Sequence, residues 1–425
     1  MAALPLSGIR VLDFSNIWSG PHCTRLLADL GAEVIKIESP RRPDLIRGPV
    51  RPSSPHEGTY PDDEPGRRPY NRHGYFNERN RNKLGLAIDA ASPRGREVIL
   101  DLVAVSDVVL DNYAAGVMER LGLGYDRLRG ARPDIIVVSM SGFGATGPER
   151  DYVGYGATFD YLAGYASVTG YRDGVPQNLG INAGDPVAAL HAAGAILAGL
   201  IYRRATRRGQ FVDLSQRESA TRLSVELLLE YQLAGREPPL RGNRHPTIAP
   251  HGVYPCAGDD RWVAIVAEND RQWVALCRAM GEPGVAFDPR FGDVVSRVRH
   301  AEALDELISR WTMVREREDV VAVLRGAGVP CGPVNTAADL YENPHLRARG
   351  FLRRIAHPEA GVHEYFGLPW RTAGLEMPLR PAPCFGEHNG EVLRRILGYD
   401  EGRIRALEAA GVLASEPAPS WDGTW

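Results

Sequence analysis

The stretch IRVLDFSNIWSGPHCTRLLADLGAEVIKIE constrains the fold most. It places two short apolar runs on either side of a helix-compatible segment, all within about thirty residues. Ile9–Phe14 and Ala32–Glu38 predict strands. Pro21–Gly31 predicts a helix: Pro21 suits its first turn, Leu26, Leu27 and Leu30 share one face, and Gly31 suits the position past its end. A strand, a helix and a strand in this span form the repeating unit of a parallel sheet.

The alternation continues. Leu84–Asp89 predicts a strand, and Ser92 with Pro93 opens a helix running to about Val105. Asp107–Asn112 and Asp134–Gly144 predict two more strands, the latter running into the glycine-rich turn SGFGATGP. The first part of the chain therefore predicts an α/β, doubly wound domain. Residues 187–206 and about 215–234 predict helices around a short strand at Phe211–Leu214. From Gly235 to Asp260 the chain turns rich in Gly, Pro and Arg. A strand at Arg261–Ala267 and helices around Arg271–Met280, Ala301–Trp311 and Arg317–Arg325 predict a second, smaller α/β unit. A helix pair within Gly390–Leu413 closes the chain. We expect a large domain from residues 1–222 and 331–425, with a small domain at 223–330.

With 50 basic and 53 acidic residues, the chain carries no electrostatic footprint for nucleic acid. The best apolar run, Val187–Tyr202, falls short of the ~20 residues that span a bilayer, and the N-terminus shows no signal-peptide pattern. The five cysteines are scattered and form no C-x-x-C, which argues against a disulfide framework and a zinc site. We expect a cytoplasmic protein with no membrane partner and no metal.

The first βα turn, DFSNIWSGPH, lacks the G-x-G-x-x-G of dinucleotide sites but can offer backbone amides to a phosphate. NERNRNKLG sets Arg79, Arg81 and Lys83 beside three asparagines, a polar clamp for an adenine or a phosphate. No serine elbow and no metal-binding histidine pair occurs, so carboxylates are the better candidates for chemistry. Asp160 and Asp185 both flank glycine-rich, weakly charged stretches. Asp185, followed by Pro186, has the pattern of a helix N-cap.

These motifs resemble the class III CoA-transferase family, also called the CaiB/BaiF type. The resemblance rests on GIRVLDFSNIWSGPHCTRLLADLGAEVIKIESP, NRNKLGLAID, DVVLDNYAAGVMERLGLGYD, SGFGATGP, GDPVAALHAAGAILAGLIYRRATRRGQFVDLS and GEHNGEVLRRILG, in the family's order over nearly the whole chain. It implies a Rossmann-like large domain built from both chain ends, a small inserted domain, and two subunits interlocked like linked rings. It implies a reaction that moves CoA from an acyl-CoA donor to a carboxylic acid through an aspartyl anhydride and an enzyme-bound CoA thioester. No tightly bound cofactor is implied, since CoA is substrate. By the resemblance, Trp18, Ser19, Arg41, Asn80, Asn82, Lys83, Asn112, Tyr113 and Arg120 fall on the CoA.

At one place the chain departs from the family. Many members read GYD where this chain reads GYG, which puts Gly156 at the usual nucleophile position. Asp160 lies one helical turn on and is the expected replacement, with the amides of Ser141–Gly144 as oxyanion donors. The alternative is a CoA-binding, non-catalytic subunit of a heteromer. Racemase chemistry is disfavoured because SMSGFG holds no histidine.

Overall fold

A computed structural model describes residues 3–54, 56 and 58–423. The chain divides into two compact units. The first comprises Met1–Tyr165, Asn178–Gly235 and Leu346–Trp425, and the second Ala166–Gln177 and Arg236–His345. The second unit thus starts later than residue 223, because the helix Val225–Ala234 stays with the first. It also runs past residue 330 and takes in the 166–177 excursion.

The first unit is built on six parallel strands: β1 (Arg10–Asp13), β2 (Glu33–Glu38), β3 (Leu84–Ala87), β4 (Val108–Asp111), β5 (Ile136–Ser139) and β6 (Gln210–Asp213). Their spatial order is β3-β2-β1-β4-β5-β6, with every neighbouring pair parallel. Successive side chains point to opposite faces of a strand. Leu12, Ile35, Val109 and Val137 enter one core with Val98, Ile99 and Leu102 of the helix Pro93–Ala104 and with Val392, Leu393 and Leu407 of the C-terminal helix pair. Val11, Val34, Val108, Leu110 and Ile136 enter the other. There they meet Cys23 and Leu27 of the helix Ser19–Asp29 and the alanines 188, 189, 192 and 193 of the helix Gly184–Thr206. Continuous apolar strands are what a sheet covered on both faces requires.

That last helix is longer than its apolar run predicts. At 23 residues it is long and apolar enough to cross a membrane by length and composition, yet one face, through Ala188, Ala192 and Ile196, is buried in the core.

The strand order reverses between β1 and β4. In open α/β sheets a reversal of this kind leaves a crevice outside the carboxyl ends of the strands, the usual ligand position. The second unit has its own antiparallel sheet of β7 (His251–Pro255), β8 (Trp262–Val266) and β9 (Cys331–Pro333), packed on helices that include Asp270–Ala279, Ala301–Thr312 and Arg317–Gly326. A hairpin, β10 (Leu352–His357) with β11 (Gly361–Phe366), belongs to the first unit.

Candidate active site

The crevice is held open by a polar framework beneath it. The Asn112 side chain ties the two diverging turns together: its Oδ1 accepts from Asn16 N (2.7 Å), while its Nδ2 donates to Asn16 O (2.8 Å) and Ser19 Oγ (3.2 Å). Ile17 takes a positive φ of 69°, and its amide donates to Asp44 Oδ1. Lys36 Nζ donates to Asp44 Oδ2 and to Ser15 O. Below, Lys83 Nζ donates to Asp13 Oδ2 (2.9 Å), Pro21 O (3.0 Å) and Asn80 Oδ1 (2.8 Å). Burial would raise the Asp13 carboxyl, but Lys83 and Lys36 hold it down at about 2. Burial lowers Lys83 to about 8 against the pull of Asp13.

This arrangement corrects one expectation. An ammonium has three donors, and all three of Lys83 are spent inside the protein. Asn80 bonds Phe76 O and Lys83, and Asn82 bonds Asp29 and the Arg380 amide. Arg81 grips Asp29 with two nitrogens. The N-x-N-K side chains therefore lock the sheet edge to the first helix, with their main polar groups engaged inside the protein. Among the other expected CoA contacts, Trp18 and Tyr113 are half-buried, and Arg41 and Arg120 are exposed. Ser19 is buried, and its amide lowers the Asp185 carboxyl.

Asp160 takes the capping role expected of Asp185. Asp160 is fully buried in the helix Gly156–Leu162. Its Oδ2 accepts from Ala183 N (3.2 Å), and its Oδ1 accepts from Gly184 N (3.0 Å) and from the Tyr165 hydroxyl. It satisfies the unpaired amides at the start of the helix Gly184–Thr206, the work of an N-cap done from a distant part of the sequence. A carboxylate so engaged presents no free oxygen to a thioester.

Asp185 lies one residue into that helix, and the Ser19 amide lowers its carboxyl. Burial pushes its carboxyl up to about 6 and the neighbouring Asp160 charge adds to this, while Arg79 pulls it down. Space for it comes from Gly156. A Cβ at position 156 would lie 2.1 Å from Asp185 Oδ2 and 2.6 Å from Asn182 Cβ. Gly156 is thus the wall against which the Asp185 carboxylate rests. The sequence pattern assigned Asp185 to a cap; its place in the first turn of a long Ala/Gly helix was the available signal.

The Ser141–Gly144 loop packs elsewhere. Gly142 lies against the Phe159 ring, and the Ser141 and Gly142 carbonyls accept from Gln216 N and Arg217 N. The amide that faces Asp185 comes from Ser19. In the second unit, the segment around Arg241–Gly252 lines a cavity of about 340 Å³ with Arg172, Arg244, His245 and Asp305. Two of its arginines are paired, Arg244 with Asp305 and Arg172 with Glu302.

Known proteins agree with this architecture. Residues 6–389 match CoA-transferase family III. The chain is 34% identical over 411 residues to the succinyl-CoA–D-citramalate CoA-transferase of Chloroflexus aurantiacus, covering 96% of this chain and 98% of that one. It is 36% identical over 395 residues to the succinyl-CoA:mesaconate CoA-transferase of Haloarcula hispanica, covering 91% and 95%. The crystal structure of a CaiB/BaiF family protein from Brucella suis superposes with a TM-score of 0.83 at 31% identity, over 93% of this chain and all of that one. With its parallel sheet, its crevice and these relatives, the chain is an enzyme of CoA-transferase family III.

Proposed function

We propose that the protein transfers CoA from an acyl-CoA to a carboxylic acid, with Asp185 as the nucleophile. The supporting observation is the buried Asp185 carboxylate, set against Gly156 and the Ser19 amide at the mouth of the β1/β4 crevice. An Asp185 oxygen attacks the thioester carbonyl, and the C–S bond breaks to release CoA thiolate. The thiolate then attacks the aspartyl carbonyl of the mixed anhydride, expelling the donor acid and leaving CoA on Asp185 as a thioester. The acceptor carboxylate attacks that thioester, and the same two steps run in reverse order. A nucleophile with a pKa near 6 is ionised at neutral pH yet more basic than an ordinary carboxylate. The Ser19 amide, already aimed at this carboxylate, stabilises negative charge beside it.

CoA on this reading lies along a Rossmann-like large domain, with Trp18, Tyr113, Arg41 and Arg120 as its contacts. The small domain is an insertion, and two subunits interlock. Exposed Leu190 and Ile201 on one helix and Leu228 and Leu233 on another support a partner subunit. Free cysteines fit a reducing cytoplasm. A non-catalytic subunit has no observation in its favour once Asp185 supplies the carboxylate that Gly156 lacks.

The test is trapping. Incubation with acyl-CoA, then hydroxylamine or borohydride, and peptide mapping should place the modification on Asp185. A label on Asp160, or none anywhere under turnover, would overturn the assignment.

A further inference from the structure

We propose that Arg79 receives the second carboxylate of a dicarboxylic substrate and so sets acyl specificity; this rests on Asp185 being the nucleophile. Arg79 ends the helix Gly74–Arg79, and its guanidinium carbon lies 4.4 Å from the centre of the Trp18 ring and 4.9 Å from that of Tyr75. Two aromatic rings hold the cation in place without occupying its five N–H donors. Among the described residues, its guanidinium makes no hydrogen bond and no ion pair.

Its neighbours differ. Arg47 is paired with Glu38, Arg81 with Asp29, and Arg25 with Glu78. The nearest acid in sequence, Glu78, is already engaged by Arg25 and Arg81. A half-buried guanidinium left unpaired on a rigid aromatic support is poised for a planar anion from outside.

Place decides which anion. Trp18, which carries the stack, directly precedes Ser19, whose amide lowers the Asp185 carboxyl. The Asp185 charge in turn acts on Arg79. Its stack on Trp18 holds the cation one residue before the helix Ser19–Asp29, which packs against the Asp185-bearing helix Gly184–Thr206. CoA's own phosphates are separated from its sulfur by the whole pantetheine arm, whereas the far end of a short acyl chain stays close to the reacting carbonyl. A second carboxylate on that chain is the anion that reaches.

The experiment compares succinyl-CoA with butyryl-CoA, which replaces the distal carboxylate by a methyl group. Wild-type enzyme should prefer succinyl-CoA. Arg79→Gln should cut kcat/KM for succinyl-CoA by about 10- to 100-fold and collapse the preference. Arg79→Lys, which keeps the charge but loses the planar fork, should retain part of it. Equal use of both donors by wild type would overturn the proposal. So would equal losses on both donors, or weaker binding of free CoA by Arg79→Gln, which would put Arg79 on a CoA phosphate. Mapping the trapped adduct in the same preparations separates the two readings. An Asp185 adduct without a change in donor preference removes only the role of Arg79; failure to find that adduct removes the nucleophile itself.

Discussion

At the scale of single residues, the site turns on a carboxylate and the hydrogen atom that faces it. Gly156→Ala drives a methyl group into Asp185 Oδ2, so the proposed nucleophile must move by an ångström or more. A displacement of that size costs about 100-fold in rate, measurable as kcat while circular dichroism reports an intact fold. Asp185 must be ionised to attack. The rate should therefore rise with pH and level off above about 6, a limb that a pH profile of kcat/KM reads directly. Stability runs the other way. The folded state raises this carboxyl from 3.8 to about 6, so its contribution is full below the lower value and is lost as pH rises through the upper one. Asp185→Asn should abolish transfer yet raise stability at neutral pH by on the order of 2 kcal/mol, a gain that fades below pH 4 in denaturant titrations. Glycine-rich flanks marked both Asp160 and Asp185 in the sequence. What separates them is which one receives the amides of residues 183 and 184, and that depends on a contact across more than twenty positions.

At the scale of elements, the strands and helices of the large unit were legible because apolar runs alternate with Gly and Pro stops. Ser92 does cap its helix, accepting from Gly95 N, and Pro93 follows in the first turn. The β10–β11 hairpin was not legible. Arg353, Arg354, His357 and Glu364 interrupt its strands, because a half-exposed two-stranded ribbon needs little apolar surface. The N-x-N-K segment shows the converse, polar residues that resemble a ligand clamp but serve as a joint. Lys83→Met leaves Asp13 buried with a charge partner removed. Loss of a buried partner costs about 3–5 kcal/mol, so urea unfolding should show a large fall in midpoint. CoA binding should fall only as far as the first turn loosens.

At the scale of the whole molecule, the large apolar side chains Ile201, Leu228 and Leu233 stand exposed on two helices and are the proposed partner surface. Sedimentation should give at least twice the 46.5 kDa of one chain. Leu233→Asp with Ile201→Asp should shift the distribution toward single chains; unchanged sedimentation would place the partner surface elsewhere. Composition foretold two units, but not the path between them, since the 166–177 excursion carries no break in composition. One further consequence attaches to the stack of Arg79 on Trp18. An indole in van der Waals range of a guanidinium has an emission that depends on where that cation points. Any ligand that re-aims Arg79 alters the fluorescence of Trp18, so the enzyme carries its own optical clock, able to time substrate arrival before the first bond is broken.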